Sequence, residues 1–332
     1  MIDFRYHLVS IIAVFLALAV GLAVGSTALT GTAEQALTAA QHRLTSQNKA
    51  LTKQNGLLQR QVAGDQAFAQ ANSARLLAGL LTDERVVLIA APGAGSSVTS
   101  GLTTALREAG ATVTGQVSLT SEFTTTSGQN EAALSQLAQN LASGAGLELQ
   151  AVPAGSTIPG QQNAAQVLAA GLLGSDASLT SDASQAILTG FSRGGFISVD
   201  SGAPASAPAN LAVLVTAGGP APQQSASEVL LAVAQQLKSA GSATVMAGSV
   251  SSIGSGSVIS AENNAANAVS TVDNADTETG QILVVQALRF LLDGKGPQPY
   301  GAEPAAAPSP GPTPAASSSP RPSSSASPKA HG

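Results

Sequence analysis

The sequence contains no cysteine and no tryptophan, and aromatic residues fill only 3% of its 332 positions. Without cysteine there is no disulfide, no thiolate metal site and no cysteine nucleophile. Three histidines and two methionines are present, so the side chains that soft or borderline metals prefer are nearly missing. Charge is sparse too, with 10% charged residues and a formal net charge of −5. That balance argues against a nucleic-acid binder, which normally shows a basic face, and no nucleic-acid partner is expected. What remains is 44% hydrophobic, so any core must be built mainly from Ala, Val, Leu and Ile.

The first feature present is a run of eighteen residues, 8–25, with no charge and one polar group, Ser10. This length just crosses the hydrocarbon layer as a helix, and the mild flank 26–30 extends it. Gly21 and Gly25 stand four apart, a spacing that lets two membrane helices approach closely, although glycine is common in such helices anyway. A cleaved signal peptide is the rival reading. The run exceeds an ordinary signal core and no A-x-A site follows it, so an uncleaved signal-anchor is expected. Arg5 precedes the run and no Lys or Arg follows before Arg43. The positive-inside bias therefore places the N-terminus in the cytoplasm and the rest of the chain outside.

Leu37, Leu44, Leu51 and Leu58 then recur every seven residues. With these at d, the a positions are Gln41, Asn48, Asn55 and Val62. A leucine seam with Asn48 and Asn55 at a predicts a parallel coiled coil, a homodimer or higher homo-oligomer. A single amphipathic helix folded back on its own domain is the other reading. Gly64-Asp65 predicts a break before a second helical run, 66–81.

From Glu84 the pattern changes. Residues 85–91 form a β-rich apolar run suited to a strand buried on both faces. A turn at 92–96, a helix over 98–109 and a strand over 111–119 complete a β-α-β unit. Helices are expected at 130–142, 164–173, 182–188, 225–240 and 277–292. Strands are expected at 195–199, 211–216 and 243–247, with short extended pieces at 256–260 and 270–272. This alternation predicts a doubly wound, mostly parallel α/β domain. After Gly294, ten of the 17 prolines crowd among Ser and Ala, which predicts a disordered tail. The expected organisation is a cytoplasmic stub and transmembrane signal-anchor (1–30), a helical stalk (31–82), an exported α/β domain (83–294) and the tail (295–332).

Candidate sites are few. Gly93, Gly95 and Ser96 lie in the loop after the first strand, where backbone N–H groups at a helix start can meet an anion. The loop is not a Walker motif, and Val98 stands where a dinucleotide fingerprint needs its third glycine. Turn geometry alone also explains these glycines. Arg193, in Ser192-Arg193-Gly194-Gly195, suits either an anion contact or a surface turn. Asp273, Asp276 and Glu278, with Asn274 among them, suit a hard cation such as calcium, or more simply the start of the last helix. The histidines are His7, His42 and His331, all outside the expected α/β domain. A Ser-His-Asp arrangement or a His-rich zinc site within it is therefore excluded, and no enzymatic activity and no bound cofactor are expected.

The opening Arg5-Tyr6-His7-Leu8-Val9-Ser10-Ile11, with the apolar run through Gly21 to Ser26, resembles the start of the actinobacterial copper-transport protein MctB family. The resemblance covers roughly residues 1–294 and implies the same layout of anchor, coiled-coil segment and α/β domain. It implies a role in copper efflux and homeostasis in the cell envelope, with copper as a transported ion, and association with an outer membrane. A non-enzymatic scaffold, whose exported domain binds an envelope protein or cell-wall component, is the alternative.

Overall fold

The computed structural model describes residues 4–173, 179–200, 208–219, 224–254, 256–264, 269–302 and 306–307. The chain divides into two units, residues 1–65 and 66–332. A single helix, α1 (Phe4–Leu77), contributes to both.

In the first unit α1 carries the segment Tyr6–Gly25, with mean hydropathy 2.7 and no residue buried. Among the described residues it is the one helix long and apolar enough to cross a membrane. Leu37, Leu44, Leu51 and Leu58 are all more than half exposed. The predicted break at Gly64-Asp65 does not occur, since α1 continues through both residues. One mid-helix glycine costs only about 1 kcal/mol, too little to end a helix whose neighbours favour it.

The second unit is built on a sheet of seven strands: β1 (Arg85–Ala90), β2 (Thr112–Leu119), β3 (Ile197–Val199), β4 (Leu211–Val215), β5 (Ala243–Ala247), β6 (Ser270–Val272) and β7 (Pro299–Tyr300). Their order is β3-β2-β1-β4-β5-β6-β7. Every pairing is parallel except β2 with β3. All residues of β4, β5 and β6 are buried, as strands covered on both faces should be. The helices are α2 (Ser96–Glu108), α3 (Ser121–Thr124), α4 (Gly128–Ala145), α5 (Pro159–Leu172), α6 (Ser181–Arg193), α7 (Gln224–Ala240), α8 (Val258–Asn264) and α9 (Glu278–Leu292).

Alternation along the strands feeds two apolar layers. Val87, Ile89, Ala212, Leu214 and Met246 pack with α4 to α8 on one face. Val86, Leu88, Leu211, Val213 and Val245 pack with α2 and α9 on the other. Ala69 and Leu77, from the end of α1, join this second layer, so one face of the last turns of α1 is core. The strand starts are tied by Asn210. Its Oδ1 accepts from the Arg85 N–H at 2.8 Å and its amide donates to Glu84, while its carbonyl accepts from Ser242 N–H at 2.8 Å.

Two stretches differ from their sequence pattern. Residues 256–260, expected to be extended, lead into helix α8, because Ser257 Oγ accepts from the Ser260 N–H at 3.1 Å and starts a helical turn. Val258 and Ile259 are β-formers by propensity, but that cap and burial in the first layer prevail. The tail, expected to be disordered from residue 295, instead gives β7. Tyr300 is buried in the second layer, and Pro299 sits where an edge strand tolerates a missing N–H. Pro299 still offers its carbonyl, which accepts from Ala307 N–H at 2.8 Å. The remainder of the expected tail, 303–305 and 308–332, lies outside the described residues.

Candidate functional site

The strand order reverses between β1 and β4, and the carboxyl ends of those strands are where an open α/β sheet usually holds a ligand. The loop that follows β1 contains Gly93, with φ +79°, and Gly95, the N-cap of α2. Gly93 lies beside the loop after β4, close enough that a Cβ on it would be 3.5 Å from the Ala217 methyl. Ser96 is the first residue of α2, and its carbonyl accepts from Thr99 Oγ at 3.0 Å. The Val98 and Thr99 N–H groups both point to the Gly95 carbonyl, at 3.1 and 3.3 Å. The structure thus brings Gly93, Gly95 and Ser96 to the switch point, in a stretch whose residues 92–100 include no cationic side chain.

The neighbouring loops at this edge are occupied with one another. Gly219 N–H donates to the Ser251 carbonyl at 2.7 Å, and Ala275 N–H to the Gly248 carbonyl at 2.7 Å. Ser249 and Ser251 share a hydroxyl contact of 2.6 Å.

The acidic group before α9 is spread over the same edge. Asp273 is buried and its Oδ1 accepts from Ala302 N–H at 2.7 Å, while Asp276 Oδ1 accepts from Val250 N–H at 3.0 Å. The cap of α9 is Thr277, whose Oγ accepts from Gly280 N–H at 3.0 Å, and Glu278 occupies the first turn. Capping therefore falls to the hydroxyl, and two of the three carboxylates hold loops instead. Among the described residues no three His, Cys, Asp or Glu side chains gather as a metal site. Arg193 ends α6, where a cation complements the helix dipole. The turn after it closes with Gly195 at φ +78° and Phe196 N–H donating to the Phe191 carbonyl at 3.1 Å.

A pocket of about 400 Å³ opens elsewhere, between the β1-β2-β3 side of the sheet and α5 and α6. Val87, Val117, Leu172 and Leu188 form its apolar wall, and Ser181, Asp182, Ser184 and Gln185 from the start of α6 supply oxygen and amide groups. Thr114, unpaired where the β1-β2 register shifts, also lines it and donates to the Val86 carbonyl at 3.3 Å. Such a lining suits a small molecule with an apolar body and polar tip. Its donors are hard, which suits a soft copper ion poorly. The sequence concealed this pocket because residues 87, 114, 182 and 199 meet only once β3 has returned beside β2.

Tyr6 and His7 open α1 in exposed positions, beside Arg5, and His42 is exposed further along the same helix. Met246 is fully buried in β5, and His331 lies outside the described residues.

Residues 1–310 match the family model described as "Copper transport outer membrane protein, MctB". The chain is similar to the copper transporter MctB of Mycobacterium tuberculosis, 29% identical over 309 residues, covering 91% of this chain and 96% of that protein. It is likewise similar to the copper transporter MctB of Mycobacterium leprae, 30% identical over 317 residues, with 91% and 96% covered. A match running from the apolar N-terminus through the seven-stranded unit shows that the chain belongs to the MctB family of copper transport outer membrane proteins.

Proposed function

We propose that this chain takes part in copper transport as a membrane-anchored envelope protein, with copper as its cargo and no bound cofactor. The observation that carries this reading is the family match over residues 1–310, which includes anchor and α/β unit together. Relatives named copper transporter align over nearly their whole length. Tyr6–Gly25 supplies the anchor, with a hydropathy that favours lipid over water. The N-terminus lies in the cytoplasm and the α/β domain on the far side of the membrane, following the positive-inside bias at Arg5. Association with an outer membrane rests on the family's description.

The role is non-enzymatic. All three histidines fall outside residues 83–294 and cysteine is absent, so the usual nucleophile-base pairs are not available there. Cysteine is absent and no histidine set gathers among the described residues, which favours transient handling of copper over storage.

The test is copper content. A strain lacking the chain accumulates more cellular copper than its parent under copper stress, and the full-length chain restores the parental level. Equal copper in both strains, with equal tolerance, would contradict the transport reading.

A further inference from the structure

The stalk between Leu37 and Val62 has two faces of opposite character. At ~100° per residue, His42, Lys49, Lys53 and Arg60 fall within about 40° of one another on one side of α1. The leucines of the heptad lie opposite. Leu37, Leu44, Leu51 and Leu58 are 62%, 66%, 59% and 51% exposed, a continuous apolar line left open along a single helix.

We infer that a second copy of this chain covers this line, in parallel and in register, with Asn48 facing Asn48 and Asn55 facing Asn55 across the pair. Three observations select that occupant. The apolar line is narrow, two positions in seven at most, with Gln41, Asn48 and Asn55 beside it. A helix lying on lipid needs a wider apolar face with bulky residues, whereas a two-stranded seam tolerates Asn at a and uses it to fix register. The flanking positions Thr45, Thr52, Gln47, Gln54 and Gln61 carry no charge. Identical copies therefore meet without repulsion, and their basic stripes point away from each other. Finally, and resting on the anchor reading of the proposed function, Tyr6–Gly25 would enter the membrane from the same side in every copy, which aligns the stalks in parallel and raises their effective concentration.

Gly21 and Gly25 do not extend the seam. At the helical repeat they stand about 120° (Gly25) and about 160° (Gly21) from Leu37, the seam leucine nearest in the chain, so the pairing rests on the stalk alone. It is independent of what the protein carries.

The absence of cysteine makes the test direct. Full-length chains carrying Asn48→Cys, Leu51→Cys or Lys53→Cys are oxidised in membranes and run on a non-reducing gel. The pairing predicts that most of the Asn48→Cys and Leu51→Cys chains become covalent dimers and that Lys53→Cys stays monomeric, because only seam positions bring like-numbered Cβ atoms within disulfide reach. All three substitutions lie on exposed surface, so folding of the α/β unit is not at stake. Equal dimer from all three, or none from the seam positions, would overturn the pairing. Cross-linking between coexpressed Leu37→Cys and Leu58→Cys chains, with none from Leu51→Cys alone, would instead show antiparallel helices and overturn it as well.

Discussion

Replacing Gly301 by alanine should destabilise the α/β unit by about 3 kcal/mol, a combination of backbone strain and overpacking. Gly301 has φ +129°, a conformation that residues with a Cβ rarely adopt. The added methyl would also run into the Asp273 carboxylate, which is buried and already holds the Ala302 N–H. Tyr300, one residue earlier, should show the same dependence from the apolar side. It is 1% exposed, and Tyr300→Ala removes a ring from the core at a cost of about 3 kcal/mol or more. Tyr300→Phe separates ring from hydroxyl. The hydroxyl is buried and has no partner among the described residues, so its loss should leave stability equal or raise it by up to ~1 kcal/mol.

The same burial pushes the Tyr300 phenol above its ordinary pKa of 10.0. Below pH 10 both folded and unfolded chains keep this proton, and stability does not depend on it. Above that pH the unfolded phenol ionises first, so the unfolded state gains and stability falls as pH rises toward the folded value. Tyr300→Phe should lack this part of the alkaline loss. Chemical denaturation of the four proteins at neutral and alkaline pH checks each statement. A Tyr300→Ala protein as stable as the parent would mean that β7 does not belong to the fold.

The second large effect lies at the other end of the chain. Arginine in place of both Phe15 and Leu16, near the middle of Tyr6–Gly25, should release the protein from membranes. Each arginine at the centre of a spanning helix costs about 3 kcal/mol of insertion free energy, so the pair opposes insertion by about 6 kcal/mol. The parent should remain with membranes through a carbonate wash, and the double variant should move to the soluble fraction. Both side chains are two-thirds exposed and belong to the first unit, so the loss of membrane binding is read separately from the fold of the second. Retention of the double variant in membranes would mean that something other than this helix holds the protein there.

Much of the sheet was legible because its strands are buried on both faces. Residues 243–247 and 270–272 read as short β-rich runs between glycines and polar turns, and the structure has β5 and β6 over the same residues. Helix α9 was legible from its long apolar pattern, and its start differs by one residue. The misses at residues 258–259 and 300 share a cause, which is that burial in a core layer outweighed the pattern of the neighbouring residues. Val258 and Ile259 read as extended until Ser257 caps a turn that lets them pack inward. Tyr300 sits among prolines that signal disorder, yet its ring completes a layer formed by Val272 and Val285. A lone aromatic in a chain so poor in them was the one available hint.

The candidate site was legible mainly through what is missing. Sequence alone brought Gly93, Gly95 and Ser96 to the start of a helix after a strand. That this loop adjoins Ala217 at the reversal of strand order depends on β4 pairing with β1, more than a hundred residues apart. The pocket beside α6 depends on the antiparallel return of β3, which no run of residues announces. The acidic cluster before α9 illustrates the opposite error. Its charges are adjacent in sequence, but Asp273 and Asp276 turn to different loops.

In the proposed function the apolar helix Tyr6–Gly25 stays in lipid and the seven-stranded unit lies beyond the membrane. Ser143, exposed on α4, provides the most direct probe, because Ser143→Cys would be the only thiol in the chain. A membrane-impermeant maleimide applied to intact cells should label this variant fully, with no further labelling after lysis. Labelling that appears only once the cells are broken would place the α/β unit in the cytoplasm and contradict the account.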